Sequence, residues 1–262
     1  MSDMDILRSK HGFVCDMDGV IYHGNQLLPG VKEFVDWLKA SDKRFLFLTN
    51  ASGKSPKELQ RKLKRMGLDV GEENFYTSAQ ATAKFLSTQA PGCSAYVIGE
   101  PGLYNAIYDA GITMNDVDPD YVVVGETYNY NLDYMCKAMR MVEKGARLIA
   151  TNSDLVYPDE YGNVPACRAL VSPIELTTGR QAYYIGKPNP LMMRTALHML
   201  DTHSGDSVMI GDRMDTDIIA GIESGMTSVL VLSGVSTREN IAVFPYRPHY
   251  ILDGVGDIAL KA

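Results

Sequence analysis

The run Asp16-Met17-Asp18-Gly19-Val20 sets two carboxylates two residues apart, directly after the apolar stretch Phe13-Val14-Cys15. A carboxylate can attack phosphorus and hold the transferred group covalently, which splits one hard displacement into two easier ones. Asp16 suits that task. A second carboxyl two residues on can protonate a leaving alcohol and later take a proton from water, a role worth about 10²- to 10⁴-fold. Asp18 is placed for it. Thr49 and Asn50 offer neutral hydrogen bonds to phosphoryl oxygens, and Lys187 offers a compact positive charge to offset the anion. Asp16, Asp18 and Asp212 could not cluster alone, since two unit charges about 4 Å apart repel by roughly 4 kcal/mol at an effective dielectric near 20. A hard divalent cation with oxygen ligands would resolve that repulsion, and magnesium is the natural choice. In Gly211-Asp212-Arg213-Met214-Asp215-Thr216-Asp217, Gly211 permits a close backbone approach and Asp212 is the expected metal ligand. Asp217 is expected to begin an apolar helix and to support the ligands, while Asp215 reads as a local helix-start contact.

These residues need elements that bring them together. Short apolar runs at Phe13–Cys15, Phe45–Leu48, Tyr183–Ile185, Val208–Ile210 and Val229–Leu232 read as buried parallel strands of one sheet. Val31, Phe34, Val35 and Leu38 form the stripe of a helix packed on that sheet, which makes a βαβ unit. The next helix is signalled by Ser55 as cap, Pro56 at its first position, Glu58 closing a capping box and Gly67 at its end, with Leu59, Leu63 and Met66 as its apolar face. Asp16, Thr49-Asn50, Lys187 and Asp212 each follow one of the predicted strands. In an open parallel sheet the carboxyl ends of the strands line one edge, where ligands bind. The middle third carries strand candidates of its own at Ala95–Ile98, Tyr121–Val124 and Leu148–Thr151, with helical stretches near Leu103–Ala110 and Leu132–Lys144. Residues 1–80 and 183–262 are therefore expected to form a Rossmann-like, doubly wound α/β core, and residues 81–182 an inserted α/β cap.

Together the four motifs, Asp16 to Val20, Leu48-Thr49-Asn50, Lys187-Pro188 and Gly211-Asp212 through Asp217, resemble those of the haloacid dehalogenase-like hydrolase superfamily. The insertion between the second and third motifs, with Thr49-Asn50-Ala51-Ser52, Gly186-Lys187-Pro188-Asn189-Pro190 and Leu232-Ser233-Gly234-Val235, looks like its NagD-type branch. The resemblance spans essentially the whole chain. It implies Asp16 as nucleophile, Mg²⁺ held by Asp16, Asp212 and the backbone carbonyl of Asp18, and phosphate bound by Thr49, Asn50, Ala51 and Lys187. It also implies hydrolysis of small phosphate monoesters, nucleoside 5′-monophosphates and 4-nitrophenyl phosphate first, with phosphoglycolate, pyridoxal phosphate and sugar or glycerol phosphates as alternatives. Dehalogenases of the superfamily lack the second aspartate of the first motif, so Asp18 argues against carbon–halogen chemistry.

Composition narrows the partners. A chain of 262 residues can build a sizeable core without disulfides, and its net charge of −7 repels nucleic acid and anionic lipid. Cys15, Cys93, Cys136 and Cys167 form no Cys-x-x-Cys pair and read as reduced residues of a cytoplasmic protein, in which no signal peptide or membrane span is expected. The expected partner is a small phosphate ester, and a homo-oligomer is compatible with the sequence. Cys15 lacks the arginine six residues on that a cysteine phosphatase needs, Ile21 standing there, and the five histidines show no metal spacing. A phospho-accepting signalling module and a phosphomutase could use the same residues. Asp18 and the large insertion weigh against the first, and only the acceptor separates the second. Asn152, Asp154 and Tyr157, after the strand ending at Thr151, are the candidate selectors of the substrate's alcohol.

Overall fold

The computed structural model describes residues 3–159 and 162–259. It divides into two compact units: one takes the chain up to Thr49, Leu59–Tyr76 and the chain from Lys187 onward, the other Asn50–Glu58 and Thr77–Gly186.

The first unit is built on a six-stranded sheet of β1 (Gly12–Cys15), β2 (Arg44–Thr49), β3 (Phe75–Thr77), β4 (Ser207–Gly211), β5 (Thr227–Val231) and β6 (Tyr250–Leu252). Their order across the sheet is β6-β5-β4-β1-β2-β3. β1 pairs in parallel with both β4 and β2, β4 with β5, and β5 with β6. This is the doubly wound arrangement, and its switch in strand order falls between β1 and β4. Every residue of β1 and β4 is buried, which is why both read as unbroken apolar runs. The helix Val31–Ala40 buries Val31, Phe34, Val35 and Leu38, the stripe its spacing predicts. Phe13, Phe34 and Trp37 pack edge-on and stacked at 5.5 to 6.3 Å between ring centroids. Burial of each such side chain stabilises by about 1.5–3 kcal/mol. The helix Pro56–Arg65 carries its predicted capping box: Ser55 N–H donates to Glu58 Oε2 at 2.8 Å and Glu58 N–H to Ser55 Oγ at 3.4 Å.

The second unit is an α/β layer of its own. Its strands run in the order Tyr183–Tyr184, Arg147–Ala150, Tyr121–Val124, Ser94–Ile98, Thr113–Met114, all paired in parallel. The helices Leu132–Glu143 and Cys167–Thr178 bury Met141, Val142, Val171 and Ile174 in the same cluster as Val122, Val124 and Leu148.

One strand expectation fails. Tyr183–Tyr184 does not join the first unit's sheet; it pairs with Ile149 and Ala150 at the edge of the second. Tyr183 is exposed and Tyr184 only partly buried, as suits an edge strand. Aromatic β-propensity marks a strand without saying which sheet it joins. Lys187 therefore follows no strand of the first unit, but starts the last segment of that unit.

Candidate active site

β1 and β4 stand side by side in register, Cys15 beside Ile210, so their carboxyl ends deliver Asp16 and Asp212 to neighbouring positions. Asp16 N–H extends the ladder by donating to the Ile210 carbonyl at 2.8 Å. Beyond Asp16 the chain alternates: Met17 is fully buried and anchors the turn, while Asp18 is exposed. Ile21 N–H returns to the Met17 carbonyl at 2.9 Å, closing a turn that holds Asp18 at the rim.

Asp217 lies at the start of a helix, as expected, but in a π turn: Met214–Ile218 is π-helical and runs into the short α-helix Ile219–Glu223, and Asp217 N–H and Ile218 N–H both donate to the Arg213 carbonyl at 3.1 Å. Such widened turns cluster at functional positions. Met214 and Ile218 pack with Leu230 and Ile241, so Asp217 is turned inward and fully buried. The close approach at Gly211 is to this side chain, since a Cβ there would stand 2.1 Å from Asp217 Cβ. Asp215 stays outside, paired with Arg213 at 3.0 Å.

Asp16, Asp212 and Asp217 each bring a carboxylate oxygen within 4.8 Å of the others. Lys187, only 2% exposed, answers part of that charge: its Nζ donates to Asp16 Oδ1, to Asp217 Oδ1 at 2.7 Å and to the Leu48 carbonyl at 3.3 Å. Burial pushes the Asp16 carboxyl well up, against the pull of Lys187, and Asp217 and Asp212 push the same way. Burial, then the Asp217 charge, raises Asp212 to about 7. Burial opposes the Lys187 ammonium, yet Asp16 and Asp217 hold its pKa above the ordinary lysine value. Three carboxylates around one ammonium leave an excess of negative charge in a buried place. Asp212 Oδ2 accepts from Val235 N–H at 2.7 Å, whereas its Oδ1 is buried with no hydrogen-bond partner among the described residues. An all-oxygen set with such an orphaned oxygen fits a hard divalent cation.

Of the residues singled out by sequence, the first unit thus brings Asp16, Lys187, Asp212 and Asp217 into contact and holds Asp18 at the rim. Thr49 is the last residue of β2 and is buried. Asn50 and Ala51 open the second unit, where Asn50 Nδ2 donates to Asp154 Oδ2 at 3.1 Å and Asn152 Nδ2 donates to the Asn50 carbonyl at 2.8 Å. The hydroxyl of Tyr157 donates to that of Tyr128 at 2.8 Å. Sequence reasoning used Ser233 and Val235 only as part of the resemblance and gave neither a role in the site. The signal was present, because Ser233 is the polar residue that follows the fifth apolar run, as Asp16 follows the first.

A doubly wound sheet with a carboxylate and lysine centre at its switch point suits phosphoryl chemistry, and comparison with known proteins gives the class, the haloacid dehalogenase-like hydrolases. Models of the haloacid dehalogenase-like hydrolase family and of HAD-hydrolase-like domains match residues 13–113 and 184–258. The ribonucleotide monophosphatase NagD of Escherichia coli K12 is 44% identical over 94% of this chain and 96% of its own. A dihydroxyacetone phosphatase of Corynebacterium glutamicum is 42% identical over 94% of this chain and 90% of its own. The solved p-nitrophenyl phosphatase of Archaeoglobus fulgidus superposes with a TM-score of 0.91 at 35% identity, covering 96% of this chain and 98% of that one. The chain belongs to the haloacid dehalogenase-like hydrolases, in their NagD-type branch. Within that branch it is a phosphatase, a phosphoric monoester hydrolase. No helix among the described residues is long and apolar enough to cross a membrane.

Proposed function

We propose that the protein is a magnesium-dependent phosphatase of small phosphate monoesters, nucleoside 5′-monophosphates first, working through an aspartyl-phosphate on Asp16. The observation that carries this reading is the Asp16 carboxylate, held by Lys187 inside the buried carboxylate cluster at the end of β1. Asp16 attacks phosphorus as the bond to the leaving oxygen breaks, and Asp18 gives that oxygen its proton. Asp18 then takes a proton from the water that attacks the aspartyl-phosphate, which releases phosphate and restores Asp16. Lys187 orients Asp16 and favours its ionised form against burial, and Thr49 offers its hydroxyl to a phosphoryl oxygen. The carboxylates of Asp16 and Asp212 and the backbone carbonyl of Asp18 would hold the cation, with Asp217 behind them. When bound, the cation draws in the phosphate and offsets the charge that develops on it. Four free cysteines support a cytoplasmic setting. The dihydroxyacetone phosphatase relative favours a second reading, a triose or sugar phosphate as substrate.

Two measurements test this. With chelator present, multiple turnover of 4-nitrophenyl phosphate is expected to stop and to return with Mg²⁺; steady turnover without divalent metal would sink the mechanism. A panel of nucleoside, triose and sugar phosphates, phosphoglycolate and pyridoxal phosphate, ranked by kcat/KM, is expected to place a nucleoside 5′-monophosphate first, and a triose phosphate at its head would establish the second reading.

The electrostatics add a sign that can be checked. Asp212 is raised to about 7 in the fold. Between the ordinary aspartate value and that point, the metal-free folded chain holds more protons than the unfolded chain, so raising the pH through the window costs it stability. A divalent cation displaces those protons. The rise in Tm on adding Mg²⁺ is therefore expected to be larger at about pH 8 than at about pH 6 in thermal-shift experiments. An equal or smaller rise at the higher pH would contradict proton displacement.

A further inference from the structure

At the carboxyl end of β5 the chain turns through Ser233-Gly234-Val235-Ser236 and comes back against Asp212. Val235 N–H donates to Asp212 Oδ2 at 2.7 Å, and Ser236 N–H donates to the Asp212 carbonyl at 3.0 Å. Gly234 lies so close that a Cβ on it would stand 2.0 Å from Asp212 Oδ2. Gly19 closes the other side: its φ is +78°, and a Cβ there would stand 2.5 Å from the same oxygen. Ser233 Oγ donates to the Gly19 carbonyl at 2.7 Å, which ties the β5 turn to the turn carrying Asp16 and Asp18. Val235 is 49% exposed, and what this turn presents to Asp212 and Gly19 is its backbone and one hydroxyl.

We propose that Ser233-Gly234-Val235 is a clamp that fixes which oxygen of Asp212 faces the cation. It engages Oδ2 between two glycines and one N–H, leaves Oδ1 unpartnered, and holds the β1 and β4 ends of the metal centre at one spacing. The inference rests on the metal-centre reading above and deepens it by naming Ser233 and Gly234 as positioning residues. Both act through Asp212 and the Gly19 turn rather than on the reacting atoms. An unclamped carboxylate would turn, and outer partners of metal ligands that are removed typically cost about 10- to 100-fold in metal affinity.

The test is titration of the metal-free protein with Mn²⁺, followed by electron paramagnetic resonance of the free ion, with folding checked by circular dichroism. Gly234→Ala drives a methyl into the space of Oδ2 and is expected to weaken Mn²⁺ binding by about 10- to 100-fold. Ser233→Ala, which removes only the hydroxyl, is expected to weaken it by about 10-fold, and Ser233→Thr to restore most of the loss. If Gly234→Ala does not fold, the Ser233 pair carries the test alone. Wild-type affinity in folded Gly234→Ala or in Ser233→Ala overturns the clamp, as does equal weakening in Ser233→Ala and Ser233→Thr. Wild-type affinity in Asp212→Asn overturns instead the metal centre on which the clamp rests.

Discussion

Asp16→Asn is expected to lower kcat by at least about 10⁴-fold while leaving the protein folded, because the amide keeps the shape of the carboxylate and loses its nucleophilic oxygen. The stability arm makes the prediction specific. Asp16 is a largely buried acid whose carboxyl is pushed up mainly by burial, with Asp217 and Asp212 adding to it. Removing its charge relieves part of that cost, so the metal-free Tm is expected to hold or rise while turnover disappears. A second measurement separates nucleophile from bystander: rapid quench with a slow substrate is expected to trap an acid-stable, hydroxylamine-sensitive phosphoryl label on the wild-type chain and none on the variant. A variant that keeps more than about a tenth of wild-type kcat would remove Asp16 from the reaction.

Lys187→Met should injure both stability and catalysis. The ammonium is 2% exposed and pairs with Asp16 and with Asp217, itself fully buried. Methionine fills similar space without charge and strands two carboxylates together. Removing one partner from a buried ion pair costs about 3–5 kcal/mol. That loss is expected in denaturant melts of the metal-free protein near neutral pH. It is expected to shrink as the pH falls, because the Asp16 carboxyl, already pushed up by burial and no longer pulled down by the ammonium, takes up a proton and relieves the repulsion. Losing one preorganised donor near transferring charge typically costs about 10²- to 10³-fold in kcat. Unchanged stability in Lys187→Met would mean that the ion pair is spurious, and unchanged kcat would leave the lysine as a purely structural cation.

Much of this centre was legible before any coordinates. Asp16 and Asp212 are announced by short apolar runs that stop at a carboxylate, a local pattern that survives folding because β1 and β4 are buried throughout. Helix caps are equally local, so the Ser55 and Glu58 pair is found where its spacing predicts. The local pattern marks Tyr183–Tyr184 as a strand but not the sheet it joins, since pairing partners are chosen by long-range packing that no local period encodes. That Asp217 lies at the start of an apolar helix is legible; that this start is π-helical is not. The π turn that rotates it toward Lys187 depends on how Met214 and Ile218 settle against Leu230 and Ile241. Lys187 beside Pro188 reads as the cation of the phosphate site, but its pairing with the buried Asp16 and Asp217 is a long-range contact that no local pattern shows.

The pairing of β1 with β4 has a consequence for when activity appears. Asp16 meets Lys187 across 171 residues of chain, and the Ser233 hydroxyl meets the Gly19 carbonyl across 214. During synthesis β1 is made long before β4, beside which it must lie. Contacts so distant in sequence form late and slowly. A nascent or truncated chain ending before Ser207 therefore carries Asp16 without β4, Asp212 and Asp217 and so without the carboxylate cluster they complete, and the cell meets this hydrolase only after β4 is in place.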